Sequence, residues 1–386
     1  MLRSHLTAVI LSTAVLSFVP AGAGVVELSG TNGPGAFYYI AVPDGQDGDV
    51  WNGEVVYYTH GYTDPNLPLI PPPDGMGSIV KGIVISRGYG FAASSYSTNG
   101  YAVKEGIFQT HALKDIVEAE FGEPSRAYVA GFSMGGLVAA ALPEKFPRQY
   151  DGTLTMCGIV GGTDMAWDYV IGARAAFDYY YPGALRGDAM NVPEDMDFGS
   201  EVVPALLGAV FSAPSGAAEM ASIDELDIFA DDFGEILDTI IVRHFFHTVG
   251  VPDMYGRTNC KSWYDNTTVV YSGTPDDSAL NAGIGRFESD VSAENFANHV
   301  YTPSGRIGSP VLSVHNTRDP IVPITHSQAY GDVVAEAGNS DLLVRQSVDR
   351  YGHCNFTIGE LAIAFDSLVA WVEDGVVPPS GDVTQP

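Results

Sequence analysis

Cysteine is scarce in this chain. The 386 residues hold three, Cys157, Cys260 and Cys354. None stands at a Cys/His spacing that suits a tetrahedral zinc site, so no metal and no cofactor is expected. Positive charge is scarce too: 18 Lys and Arg face 47 Asp and Glu, a formal net charge of −29. A surface of that sign repels phosphates, which excludes nucleic acid and anionic membranes as partners. Uncharged apolar runs of spanning length are missing after the first residues, so the mature chain is expected to carry no membrane span. These features set no oligomeric state. At 46% hydrophobic, the chain has enough apolar surface to bury a substantial core.

Residues 1–23 read as a signal peptide. Arg3 supplies the positive start, Leu6 to Val19 the short apolar run, and Ala21-Gly22-Ala23 the small-residue cleavage pattern. Cleavage near Ala23 predicts a secreted protein, extracellular or periplasmic. In an exported chain, an odd cysteine count predicts one disulfide and one buried thiol.

After residue 24 the pattern alternates between short apolar runs and longer amphipathic ones, which predicts an α/β core. Strands are expected at Ala36 to Val42, Glu54 to Thr59, Gly90 to Tyr96 and Thr153 to Val160. Helices are expected over Ser78 to Arg87 and Val103 to Phe121. Between Tyr128 and Ala140 lies Gly131-Phe132-Ser133-Met134-Gly135. A Gly-x-Ser-x-Gly turn from strand to helix holds its serine in a strained conformation clear of the sheet. Glycines flank it because side chains there would clash. Met134 opens the following helix, so its N–H is free to face a developing oxyanion.

A serine hydroxyl needs a histidine base, and the base needs an acid to fix its tautomer. Of the nine histidines, His353 has the best setting, on a loop after the last strand, Leu342 to Val348. Asp319 lies just after the preceding strand, Pro310 to His315. The chain order is therefore Ser133, Asp319, His353, with Asp349 the next candidate acid.

With these motifs in order, the sequence resembles the α/β-hydrolase superfamily, as a secreted serine esterase or lipase-like member. Gly131 to Gly136 is similar to the nucleophile elbow, and Asn316 to Pro323 to the acid loop. Tyr351-Gly352-His353 is similar to the histidine loop, and His60-Gly61 to the oxyanion loop. The resemblance spans residues 54–162 and 309–372. It implies a mostly parallel sheet flanked by helices. It implies that Ser133 is nucleophile, His353 base and Asp319 orienting acid, with the N–H groups of Met134 and Tyr62 as oxyanion hole. The domain reading is a core over 24–162 and 309–375, an insertion over 163–308 and a disordered tail over 376–386.

Residues 163–308 lack regular strand–helix alternation and read as a large, mostly helical cap. Its aromatic residues Tyr179, Tyr180 and Trp263, with Tyr62 and Phe132, are candidates to line a substrate pocket. His244 and His247 stand at i, i+3; without further ligands they read as an ordinary helix face. The acidic run Asp224 to Glu235 lacks calcium-loop spacing.

His353-Cys354 is similar to tannase-like and feruloyl esterases, where a Cys beside the histidine bonds a Cys beside the serine. Here Phe132 precedes Ser133, so that signature is incomplete. Cys157 falls inside an expected strand, whereas Cys260 lies in the polar segment Arg257 to Lys261. The pairing expected is Cys260–Cys354, with Cys157–Cys354 left open. The function expected is hydrolysis of a small-molecule or polymeric ester. The alternative is a secreted serine peptidase resembling prolyl aminopeptidases or prolyl oligopeptidases, since the elbow does not separate esters from amides.

Overall fold

The computed structural model describes residues 24–33, 35–45 and 50–384. The expected signal peptide lies outside these residues.

Nine strands form one sheet in the order β1-β2-β4-β3-β5-β6-β7-β8-β9. They are β1 Val25–Thr31, β2 Phe37–Pro43, β3 Glu54–Thr59, β4 Gly90–Ser94, β5 Arg126–Phe132, β6 Gly152–Met156, β7 Val311–Arg318, β8 Leu343–Tyr351 and β9 Gly381–Asp382. β1 and β2 are antiparallel to their neighbours, and the pairs from β4 through β9 are parallel. Strands β3, β4 and β6 are buried along their whole length. That is why, apart from Glu54 at the start of β3, they read as apolar or hydroxyl runs: a parallel strand covered on both faces has no solvent side.

Helices cover both faces. On one face lie α2 (Val103–Phe121) and α3 (Met134–Lys145), on the other α1 (Gly75–Ile85) and α11 (Ile358–Asp374). The two-residue period of β3 sorts its side chains accordingly: Val55 and Tyr57 face the first layer, Val56 and Tyr58 the second. A capping box starts α11, with Thr357 and Glu360 exchanging side-chain-to-backbone bonds, and Gly375 at φ +71° ends it. Pro143 sits in the last turn of α3, and the helix runs through to Lys145.

Between β6 and β7 the chain inserts six helices: α4 (Thr163–Tyr180), α5 (Val203–Ser212), α6 (Pro214–Ala221), α7 (Phe233–Arg257), α8 (Asp277–Gly283) and α9 (Val291–Val300). The acidic stretch after Ile223 divides into a short turn at Asp224–Leu226 and the start of α7. Asp232 caps α7 by accepting from Glu235 N at 2.9 Å. The apolar side chains of the insertion, including Trp167, Phe177, Leu206 and Ile240, join the same core as α2 and α3. Helix α10 (Thr325–Glu336) follows β7. Among the described residues no single helix is long and apolar enough to cross a membrane.

The tail expected to be disordered is instead placed along the sheet edge as far as residue 384. Its strand β9 pairs with β8, and Gln346 donates to the Pro379 carbonyl at 2.8 Å. An edge strand with free backbone groups recruits a polar segment regardless of that segment's composition.

Candidate active site

Four neighbouring strands end side by side, and each delivers one candidate residue at its carboxyl end. Ser133 follows β5, Cys157 follows β6, Asp319 follows β7 and His353 follows β8. Ligands of open α/β sheets bind at that edge.

Ser133 has φ +57° and ψ −126°, a region that non-glycine residues avoid. The flanking glycines permit it. A Cβ on Gly131 would lie 2.2 Å from the Gly135 carbonyl oxygen, and one on Gly135 would lie 2.1 Å from the Thr59 carbonyl oxygen. The Thr59 hydroxyl closes this junction by donating to the Gly135 carbonyl at 2.8 Å. Ser133 N donates to the Met156 carbonyl at 3.1 Å, which ties the elbow to the end of β6. Met134 is the first residue of α3 and is buried. Gly61 abuts the elbow: a Cβ there would stand 3.5 Å from the Ser133 Cβ. His60 stacks on Tyr96 with centroids 3.8 Å apart, and burial lowers its pKa, keeping it neutral.

Asp319 and His353 form a direct pair. His353 Nδ1 donates to Asp319 Oδ2 at 2.7 Å. The carboxylate is fully buried, and the imidazole is 18% exposed. The other carboxylate oxygen accepts from the N–H groups of Ile321 and Val322, both at 2.9 Å. His315, buried behind the pair, donates from Nε2 to the Val322 carbonyl at 2.7 Å. Asp349, the reserve candidate, takes the Thr317 hydroxyl at 2.8 Å and lies at the surface.

The disulfide joins Cys157 to Cys354, with Cα atoms 5.3 Å apart, and Cys260 is a free, exposed thiol. The expected Cys260–Cys354 pairing is therefore corrected. The expected strand stops at Met156, and Cys157 turns out of the sheet at φ +46°. Cys260 lies just past the end of α7. The bridge connects the strand end that binds Ser133 N to the loop that carries His353. Cys354 Sγ lies 3.5 Å from His353 Nε2. Cys157, His353 and Cys354 cluster within 4.8 Å, but the oxidised sulfurs offer no thiolate to a metal.

The expected pocket aromatics separate. Phe132 is corrected to core: it packs against Tyr58, Val80, Leu361 and Phe365, between the sheet and the α1/α11 layer. Tyr62, the residue after Gly61, meets Phe246 of α7 edge-on, centroids 5.5 Å apart. Gly250 of α7 lets two rings converge, since a Cβ there would lie 2.5 Å from Trp167 and 3.5 Å from the Tyr62 hydroxyl. Trp263 stands one ring further back, edge-on to Trp167 at 5.8 Å. Tyr179 and Tyr180 meet edge-on at 4.9 Å, and Tyr179 packs on Gly283 of α8, inside the insertion. His244 and His247 are buried and hydrogen-bonded to the carbonyls of Ile240 and Ala189. Burial holds His244 down at about 3 and His247 well below its usual range.

Sequence reasoning missed Arg243, Trp167 and Phe246. The signal available for Arg243 was a long cation on the apolar stripe of α7, between Ile240 and His247.

No family model matches the chain. An o-phthalyl amidase from Xanthobacter agilis is 22% identical over 409 residues, covering 89% of this chain and 86% of that protein. Feruloyl esterase B from Aspergillus oryzae superposes with a TM-score of 0.52 at 12% identity, covering 92% of this chain and 82% of that one. An esterase from Pyrococcus furiosus gives a TM-score of 0.45 at 11% identity, with 92% of both chains covered. The sheet, its flanking helices and the strand–elbow–helix at Ser133 are those of the α/β-hydrolase fold.

Proposed function

We propose that this chain is an exported serine hydrolase that cleaves carboxylic esters. The observation that carries the reading is the buried Asp319–His353 pair on the strand ends next to the Ser133 elbow. Ser133 Oγ attacks the ester carbonyl as His353 Nε2 takes its proton. Asp319 fixes the imidazole with Nδ1 protonated and Nε2 free. The backbone N–H groups of Met134 and Tyr62 face the negative charge on the carbonyl oxygen. His353 returns the proton to the leaving alcohol, and an acyl-enzyme remains. Water, deprotonated by His353, then releases the acid and frees Ser133.

The insertion is read as a cap that sets substrate choice, with Phe246 and Trp167 gathered around Tyr62, which follows the glycine that abuts the elbow. The disulfide supports export, because such bonds persist in oxidising compartments. A second reading, amide hydrolysis, is favoured by the relative named as an o-phthalyl amidase. One experiment separates the two. Purified protein is offered p-nitrophenyl esters and matched anilides of acetic, benzoic and o-phthalic acids. Ester turnover well above anilide turnover is expected. The reverse order would transfer the reading to an amidase, and turnover of neither would overturn it.

A further inference from the structure

Arg243 is a buried cation with no part in the chemistry above. It lies in the middle of α7 and is fully buried. A guanidinium without partners there would be strongly disfavoured. Three backbone carbonyls accept from it: Pro320 from Nε at 2.9 Å, Leu226 from Nη1 at 2.6 Å and Asp227 from Nη2 at 3.2 Å. The guanidinium also stands over the Tyr169 ring, 5.6 Å from its centroid. Pro320 is the residue directly after Asp319. Resting on the hydrolase reading, we propose that Arg243 is a positioning residue: from the insertion it fixes the acid loop and places a permanent positive charge behind the Asp319–His353 pair.

Two physical effects follow. The first is geometric. Oδ1 of Asp319 is held by Ile321 N and Val322 N, and the Val322 carbonyl by His315. Arg243 adds an anchor from the insertion, on the Pro320 carbonyl. With the loop fixed, Oδ2 is left for His353. A hydrogen bond from a charged donor is roughly twice as strong as a neutral one. The planar fork sends Nε, Nη1 and Nη2 to three separate carbonyls, a spread that lysine's single nitrogen does not reproduce.

The second effect is electrostatic. Burial lowers Arg243 to about 10, while Tyr169, Asp227, Asp319 and Tyr351 pull the other way, so it stays cationic at neutral pH. His244 and His326 also face this charge. The groups facing His353 are Asp319 and His315. A fixed positive charge on this side of the carboxylate disfavours a further positive charge nearby, so its removal is expected to move the acid limb of turnover.

The test compares full-length wild type, Arg243→Gln and Arg243→Lys on a p-nitrophenyl ester across pH. Folding is checked by near-ultraviolet circular dichroism and Tm. Arg243→Gln is expected to lower kcat about 10- to 100-fold with KM little changed. Its acid limb should move up by roughly half a unit to one unit, because the opposing charge is gone. Arg243→Lys should lower kcat about tenfold with the acid limb unmoved, since it keeps the charge and loses the fork. A folded Gln variant with an unmoved acid limb would overturn the electrostatic claim. Wild-type kcat in the Lys variant would overturn the geometric one, and that comparison stands even where the Gln variant does not fold. Wild type that turns over no ester would instead count against the hydrolase reading, before any variant is compared.

Discussion

The sheet and the 163–308 insertion bury polar groups in different ways. In the sheet the buried polar side chains are mostly short, such as Thr59, Ser94, Thr153, Thr155 and Ser313. Ladder hydrogen bonds satisfy the backbone, and apolar faces do the rest. The insertion buries short side chains too, such as Thr163, Thr239 and Asn266, but adds long or aromatic ones: Arg174, Arg243, His244 and His247. Each needs its own partner. Arg174, for example, bonds Asp178 at 2.8 Å and the Arg186 carbonyl at 3.0 Å. The insertion also reaches across to the loops that carry the acid and the histidine. Arg318 pairs with Asp231, and the Tyr351 hydroxyl donates to Asp238 at 2.9 Å. The sheet thus sets where Ser133, Asp319 and His353 emerge, and the insertion braces two of the three.

The strongest test of the sheet's share is Ser133→Ala. Its elbow is built by backbone and glycines, so the variant should keep the wild-type Tm. Hydrolysis should fall by about 10⁴–10⁶-fold, measured as kcat on an activated ester. Near-normal turnover would move the chemistry elsewhere. Asp319→Asn should follow, with kcat lower by about 10³–10⁴-fold and binding largely kept, because the amide favours the wrong imidazole tautomer.

Stability effects come next. The Cys157–Cys354 bridge closes a separation of 197 residues. Cys157→Ser with Cys354→Ser should cost about 2–5 kcal/mol in denaturant unfolding, and turnover should drop as the His353 loop loosens. An unchanged midpoint would show that the bridge is dispensable.

A smaller, pH-dependent effect belongs to the insertion. Burial, with Glu294 nearby, pushes Asp164 of α4 up to about 6. The folded value exceeds the unfolded one, so this contribution to stability is full below about pH 4 and is lost as pH rises through about 6. Asp164→Asn should therefore raise Tm at pH 8 and leave it unchanged at pH 4. An equal gain at both values would refute the titration. The smallest effect should be Cys260→Ser, within about 0.5 kcal/mol, because that thiol is exposed and free. A large loss there would reopen the pairing.

The core was legible because its rules are local. Val103–Phe121 begins and ends where periodicity placed it, and the elbow follows from two glycines and a strand. The Asp319–His353 contact followed from their loops and chain order, although 34 positions separate them. The disulfide was misread because its deciding feature, the left-handed turn at Cys157, has no sequence signature in an apolar run. Phe132 was misread for a related reason. Its neighbour Ser133 marks the site, but the two-residue period turns Phe132 toward α1 and α11. Arg243 escaped because its partners are backbone carbonyls at residues 226, 227 and 320, which no side-chain pattern encodes.

The central claim is that Ser133 is a nucleophile activated by His353. The most direct measurement is labelling of the native protein with a fluorophosphonate probe, followed by peptide mapping, for wild type and His353→Ala. The account predicts one adduct per wild-type chain, on Ser133, and labelling slowed by orders of magnitude in the variant. An adduct on another residue, or equal labelling of both proteins, would contradict it.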